Sequence, residues 1–278
     1  MTQEDKVSKI QEIIKQKITG VWEPRHDDNG HRYYHNPSGY MQRSVTTKLG
    51  ILSKPHLLGW AVRVGIDFLL QDNRLERLRN PQWKDELITG ATLAHIELRD
   101  QAGSTGSKTH FWAERFLNQW IADGEMPKDI KVFMDITKDD PRAIAGARSF
   151  ELLCKQKDII PIASELIVGM PKISAGALDI LCFWKGELCL LDIKTSNSID
   201  KNFRYQLAAY RAMLSYMTGL KIKKVKIIHL SKDMAKYVVY DVKDLIQGWK
   251  TFKHICAVYD DVMSSKEKIV KDVKRLSI

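Results

Sequence analysis

Residues 159–194 read IIPIASELIVGMPKISAGALDILCFWKGELCLLDIK. Three apolar, β-branched runs stand out: Ile159 to Val168, Ala177 to Trp184 and Glu187 to Ile193. Each has the length of a strand, and Lys185-Gly186 has the composition of a two-residue hairpin turn. Four charged side chains on these runs stand out. Glu165 lies in the first run, Asp179 in the second, and Asp192 and Lys194 end the third. An acid inside Leu178-Asp179-Ile180-Leu181-Cys182 is expensive to bury without a partner. Asp192 and Lys194 are two apart, so they share one side of their strand. In an antiparallel meander, neighbouring strands bring such side chains together. Three converging carboxylates repel one another unless a cation lies between them. Mg²⁺ or Mn²⁺ takes oxygen ligands and keeps waters, polarises a phosphoryl oxygen and makes water a better nucleophile. Lys194 beside it would orient the water or offset charge on phosphorus. The competing reading is a buried ion pair of Asp179 or Asp192 with Lys194. The spacing D-x-K is weak by itself, because Asp129-Lys131, Asp241-Lys243 and Asp272-Lys274 repeat it. Only the Asp192 copy ends an apolar strand with a second acid one hairpin upstream.

Working outward, Phe203 to Met217 has helical periodicity, Val225 to Leu230 and Tyr237 to Tyr240 read as strands, and residues 242–270 read as helix. Upstream, Asp140-Pro141 opens a helix running to about Lys157, with Asp140 as cap and Pro141 at its first position. Residues 46–123 read as mostly helix, broken near Lys54-Pro55 and Asn80-Pro81. Val7, Ile10, Ile13, Ile14 and Ile18 mark a short amphipathic helix. Asp28-Asn29-Gly30 marks a hairpin between segments of Trp22 to Arg43. The fold class is therefore α/β: a mixed central sheet with flanking helices and a helical N-terminal preface. The expected division is residues 1–140 as a hairpin and helical region and 141–278 as the core.

Lys and Arg number 44 against 34 Asp and Glu, giving a formal net charge of +10. Such a surplus suits a polyanion through counterion release, and equally a merely soluble basic protein. No apolar run approaches the roughly 20 residues that span a bilayer, so no membrane partner is expected. Four cysteines in no C-x-x-C pair exclude a zinc ribbon. With a polar N-terminus they point to a reducing cytoplasmic setting. Arg25, His26, Arg32, Tyr33, Tyr34, His35, Tyr40 and Arg43 mix cations with aromatics, as a single-stranded partner would require. An ordinary aromatic hairpin packed on the helices competes with that reading. A zinc site from His26, Asp27, His31 and His35 is disfavoured, because two of these flank a tight turn.

The set Gly176-Ala-Leu-Asp179, Leu191-Asp192-Ile193-Lys194-Thr195-Ser196 and Gln206-x-x-x-Tyr210 resembles the nuclease domain of RecB-like enzymes in the PD-(D/E)XK superfamily. The resemblance implies a restriction-endonuclease-like core in which Glu165, Asp179, Asp192 and Lys194 are catalytic. Gln206 and Tyr210, i and i+4 on one helix, would face the site. The family also has a G-x-x-x-H-x-x-x-E pattern, matched here by Gly106, His110 and Glu114. It implies His110 as a metal ligand beside Glu165, Asp179, Asp192 and the Ile193 carbonyl, and its imidazole makes Mn²⁺ acceptable as well as Mg²⁺. The same stretch is not a phosphate-binding loop, since Ser107 precedes Lys108 and no strand leads into it.

Arg43-Ser44-Val45-Thr46-Thr47, Lys54-Pro55 and Gly59-Trp60-Ala61 are similar to the N-terminal segment of phage-type exonucleases and of the mitochondrial genome maintenance exonuclease. This adds Ser44, Lys54 and Trp60, with Thr195, Ser196, Gln206 and Tyr210, as DNA contacts; for Trp60 a plain core role is the alternative. Two departures stand out. Leu178 precedes Asp179 where the superfamily name has proline, and the cysteine set of iron–sulfur members is missing, so no cluster is expected. The expectation is a metal-dependent deoxyribonuclease acting on single strands or free ends. It would be phage-encoded, working in the bacterial host cytoplasm. The alternatives are a structure-specific or nicking endonuclease of the same fold, and a non-catalytic nucleic-acid-binding module.

Overall fold

The computed structural model describes residues 2–27, 32–52 and 54–276, and beyond Met263 the backbone alone. In chain order come α1 (Gln3–Lys17), β1 (Glu23–His26), β2 (Arg32–His35), β3 (Met41–Arg43), α2 (Val45–Leu49), α3 (Pro55–Leu70), α4 (Arg74–Arg77) and α5 (Pro81–Asp123). A 3-10 turn (Ile130–Phe133) leads to α6 (Pro141–Gln156), β4 (Ile159–Met170), β5 (Ser174–Trp184) and β6 (Glu187–Lys194). Then follow α7 (Phe203–Thr218), β7 (Lys224–Leu230), β8 (Tyr237–Asp241) and α8 (Leu245–Leu276). The expected turn Asp28-Asn29-Gly30, and His31, lie outside the described residues.

Strands β4 to β8 form one mixed sheet in sequence order. β4, β5 and β6 are an antiparallel meander, β6 and β7 are parallel, and β8 returns antiparallel. Helix α7 makes the crossover between the parallel pair, as a parallel connection requires. Local chemistry sets these ends. Lys185 (φ +50°) and Gly186 (φ +75°) are both left-handed, the geometry of the tight hairpin turn that matches strand twist. The Asp140 side chain accepts from the Arg142 amide and Pro141 takes the first helical turn.

Cys189, Leu191 and Ile193 point to one face of the sheet with Ile180 and Cys182. Against them pack Trp112 and Phe116 of α5 and Phe150 and Leu153 of α6, in one buried core. By strand alternation Leu190, Asp192 and Lys194 face the other side, where the Phe203 ring at the start of α7 lies 4.8 Å from the Lys194 ammonium.

The chain divides into two compact units. One unit is Met1–Ile51 with Thr109–Ile278; the other is Leu52–Lys108. The preface strands belong to the first because Trp22 and Tyr34 bury themselves against Ala175 of β5. A parallel bridge also ties Ser44 to Ala175. Within the second unit Gly65 lets the Ala91 carbonyl approach and Gly90 lies under the Phe68 ring. No described helix is long and apolar enough to cross a membrane.

Candidate active site

Glu165 sits in β4 with φ +45°, a left-handed conformation rare for a residue with a side chain. The pairs on either side, Ser164 with Ile180 and Leu166 with Leu178, keep their register, so Glu165 stands opposite Asp179. Backbone strain on the order of 1–3 kcal/mol is thus held at a chemical cluster rather than at a turn. The β5–β6 pairing ends at Ile180 and Leu191. One step beyond, Asp179 faces the Asp192 position, and its Oδ2 accepts a 2.6 Å hydrogen bond from the Ile193 amide. His110 of α5 brings its Nδ1 to 3.6 Å from the same oxygen.

His110, Glu165 and Asp179 each present one ligand atom, and the three atoms lie within 4.8 Å of one another. One imidazole nitrogen and two carboxylate oxygens suit Mg²⁺ or Mn²⁺. Asp192 stands beside them, 1% exposed. Lys194 Nζ is 2.5 Å from Asp192 Oδ2. The ion pair considered from the sequence is therefore present. It does not exhaust the acids, because Asp192 Oδ1 is buried without a partner among the described residues and neither Glu165 nor Asp179 pairs with Lys194. A buried anionic oxygen left unpaired is costly, so the donor set fits a divalent cation.

Electrostatics point the same way. Burial pushes Glu165 up to about 8, helped by Asp179, Glu114 and Asp192, with Arg32 pulling the other way. Burial also pushes Asp192 up to about 6, with Lys194 opposing. For Lys194, burial pulls downward, but Asp192, Asp179 and Glu165 together outweigh it and hold the ammonium above its ordinary range. The cluster gathers more carboxyl groups than Lys194 and Arg32 could balance if all were ionised, which is why protons are held there in place of a cation.

Helix α7 supplies the second layer. Gln206 Nε2 donates to Tyr210 Oη at 3.2 Å, both buried. The Tyr210 ring lies on β5 at Gly176, where a Cβ would come within 2.8 Å of a ring carbon. The glycine of the Gly176-Ala-Leu-Asp179 motif is what lets this helix approach the acids. Gln206, which periodicity alone would leave at the surface, is 8% exposed.

The remaining sequence candidates are placed as follows. Thr195 is buried and Ser196 exposed, directly after Lys194. Ser44 is buried, and its hydroxyl caps α2 by accepting from the Thr47 amide. Lys54 and Trp60 belong to the second unit. Lys54 is exposed at the start of α3, and Trp60 is 37% exposed, not core, with its ring edge-on to His95. Of the other D-x-K copies, Asp129 pairs with Lys131 at 3.7 Å on the surface, and Asp241 pairs with Lys226 instead.

Arg32 was not a sequence candidate for the catalytic centre. Its place follows from topology. The Ser44–Ala175 bridge is parallel and β2 runs antiparallel to β3, so a step from Tyr34 back to Arg32 follows β5 from Ala175 toward Asp179. Tyr34 is seated on Ala175, and Arg32 shares its side of β2. That alternation was visible in the sequence; the bridge that gives it meaning was not. No protein-family model matches this chain, and no curated protein does either.

Proposed function

We propose that this protein is a divalent-metal-dependent nuclease that hydrolyses DNA phosphodiester bonds, working on single strands or from free ends. The observation that carries this reading is the meeting of His110, Glu165 and Asp179 within 4.8 Å, with the Asp192–Lys194 pair alongside. A binding module gains nothing from burying three acids where phosphates must approach. The resemblance to RecB-like nucleases supports the same conclusion, and with it a phage-encoded enzyme of the bacterial host cytoplasm.

His110, Glu165 and Asp179 would hold the ion, with Asp192 and the Ile193 carbonyl as the further ligands the resemblance implies. When bound, Mg²⁺ or Mn²⁺ supplies Lewis acidity at a phosphoryl oxygen and positive charge among the carboxylates. Lys194 spends one N–H on Asp192 and keeps two for the attacking water and a phosphate oxygen. Its charge persists well above neutral pH, because the surrounding acids hold it there. Asp192 and the Phe203 ring fix where that ammonium sits, as placement of a catalytic group requires. Gln206 and Tyr210 brace α7 against β5 and so position the opposite wall. Arg32 provides a cation on the approach to Glu165. Exposed Arg25, His26 and Arg32, with Tyr33 and His35 half-exposed beside them, offer a single strand charge and some stacking surface, while Tyr34 is committed to the core.

The test is digestion of end-labelled single-stranded DNA with Mg²⁺ or Mn²⁺, comparing wild type with Asp192→Ala, on linear and closed circular substrates. Wild type degrades linear DNA, Asp192→Ala does not, and circles survive. Equal digestion by both proteins, or none by either with any DNA, overturns the proposal.

A further inference from the structure

A second feature begins at the residue after Lys194. A cavity of about 400 Å³ opens where β6 ends and the β7–β8 turn closes over it, lined among others by Thr195, Ser196, His229, Lys232, Asp233 and Lys236. That volume lies in the range of pockets that hold small molecules. Its chemistry is cationic. Lys232 is only 9% exposed and has no ion-pair partner among the described residues. Asp233 and Asp140 act on its charge from a distance and offset part of the effect of burial, but Lys232 itself makes no ion pair of the kind that lysines so covered ordinarily have. Burial and the neighbouring Arg142 hold its ammonium below the usual lysine range, so an anion seated there would restore it. Lys236 lines the same cavity and likewise has no ion-pair partner among the described residues. Asp233, the acid in the lining among the described residues, leans toward Arg142 at 3.9 Å.

The walls are built rather than loose. His229 Nε2 donates to the Ser196 carbonyl at 2.6 Å, tying the segment after β6 to β7. Ser149 of α6 bonds the carbonyls of Ser231 and Met234 and accepts from the Lys236 amide, which fixes the turn carrying both lysines. The Thr195 hydroxyl makes no hydrogen bond among the described residues and lines the cavity as a free donor. Two ammonium groups, one buried and one on the exposed rim, favour an anion over a metal cation here. They offer paired point charges, the form in which lysine binds phosphate.

We propose that this cavity is a phosphate-binding subsite, taking the phosphate of a nucleotide adjacent to the bond being cut. The proposal rests on the nuclease reading for its ligand, but its test does not use cleavage. The source of the phosphate is either a terminal monoester or a backbone diester. The full-length protein is titrated in EDTA with three fluorescent deoxyoligonucleotides of one sequence, carrying a 5′-phosphate, a 3′-phosphate or neither, and separately with thymidine monophosphate. Lys232→Gln and Lys236→Gln are titrated alongside, each with its thermal melt as a check on folding. Both variants bind every phosphate probe more weakly, Lys232→Gln by about tenfold. Tighter binding of one phosphorylated end by wild type identifies a terminal monoester. Equal binding of all three, still lost in the variants, identifies a backbone phosphate. Affinities unchanged in both folded variants overturn the subsite. If that happens while wild type digests DNA, the subsite alone is lost. If the variants lose phosphate binding but no DNA is ever digested, the subsite stands and the nuclease reading falls.

Discussion

At the residue scale the acids of the site dominate. Folded Glu165 holds its proton to about pH 8 and Asp192 to about 6, whereas their ordinary values are 4.5 and 3.8. Between the ordinary and the raised values the folded chain binds more protons than the unfolded chain. Stability without metal must therefore fall as pH rises through that window, and level off above about 8. A divalent ion replaces the protons, so its stabilisation grows over the same interval. Melting temperature in EDTA should be lower at about pH 9 than at about pH 5, and Mn²⁺ should raise it more at the higher pH. Glu165→Gln should flatten most of the metal-free slope; a flat wild-type profile in EDTA would contradict the charge argument. Gly176 gives a second expectation. Its backbone has room for alanine, but the added methyl meets the Tyr210 ring. Gly176→Ala should cost about 1–3 kcal/mol by overpacking, read by urea denaturation. Adding Tyr210→Leu should recover part of that loss. In the sequence, Asp179, Asp192 and Lys194 were legible because strand alternation is local. The role of Gly176 was not, since it depends on a ring 34 positions away, from Gly176 to Tyr210.

At the scale of elements, breaks written in proline were read correctly: α3, α5 and α6 each begin at one. The break at Asp72-Asn73 was not read. Both residues are left-handed there, a conformation Asn and Asp tolerate without announcing it. β4 and β5 run further toward their shared turn than their apolar runs indicated, since backbone pairing continues past the apolar side chains. The turn after β7 shows how one side chain can hold an element. The Ser149 hydroxyl lies 2.8 to 3.1 Å from three carbonyls, of Ala145, Ser231 and Met234, and accepts from the Lys236 amide at 3.0 Å. One hydroxyl proton serves one carbonyl at a time, but all four groups depend on the same atom. Ser149→Ala leaves the Lys236 amide and the turn carbonyls without it, at a cost of about 1–3 kcal/mol. Hydrogen exchange should quicken across residues 231–236 before it changes in β6. Unchanged exchange there would mean that the sheet, rather than α6, orders the turn.

At the scale of the whole molecule, the compact units interleave along the chain, with Leu52–Lys108 set between the two parts of the other. Sequence order suggested a preface followed by a core. Burial of Trp22 and Tyr34 on β5 instead folds the first strands into the core unit. Such long-range pairings leave no local periodicity, so neither they nor the placement of Arg32 could be read beforehand. The charge of +10 is a property of the same scale, and Arg32 is where it meets the site. Arg32 acts on Glu165 and shifts it downward. Removing it should act twice. Single-strand binding in EDTA should weaken, and the slope of log affinity against log salt should become shallower by about 0.7 for one lost phosphate contact. Glu165 should also become a weaker acid still, so the pH at which Mn²⁺ binding is half-complete should rise in Arg32→Ala. Arg32→Lys, which keeps a cation at that position of β2, should leave that pH closer to wild type than Arg32→Ala does, whereas a purely structural role for the side chain would weaken binding in both without separating them in pH. The two shifts measured together, by anisotropy across salt and by Mn²⁺ titration across pH, distinguish a cation working at the site from a strand holding the sheet.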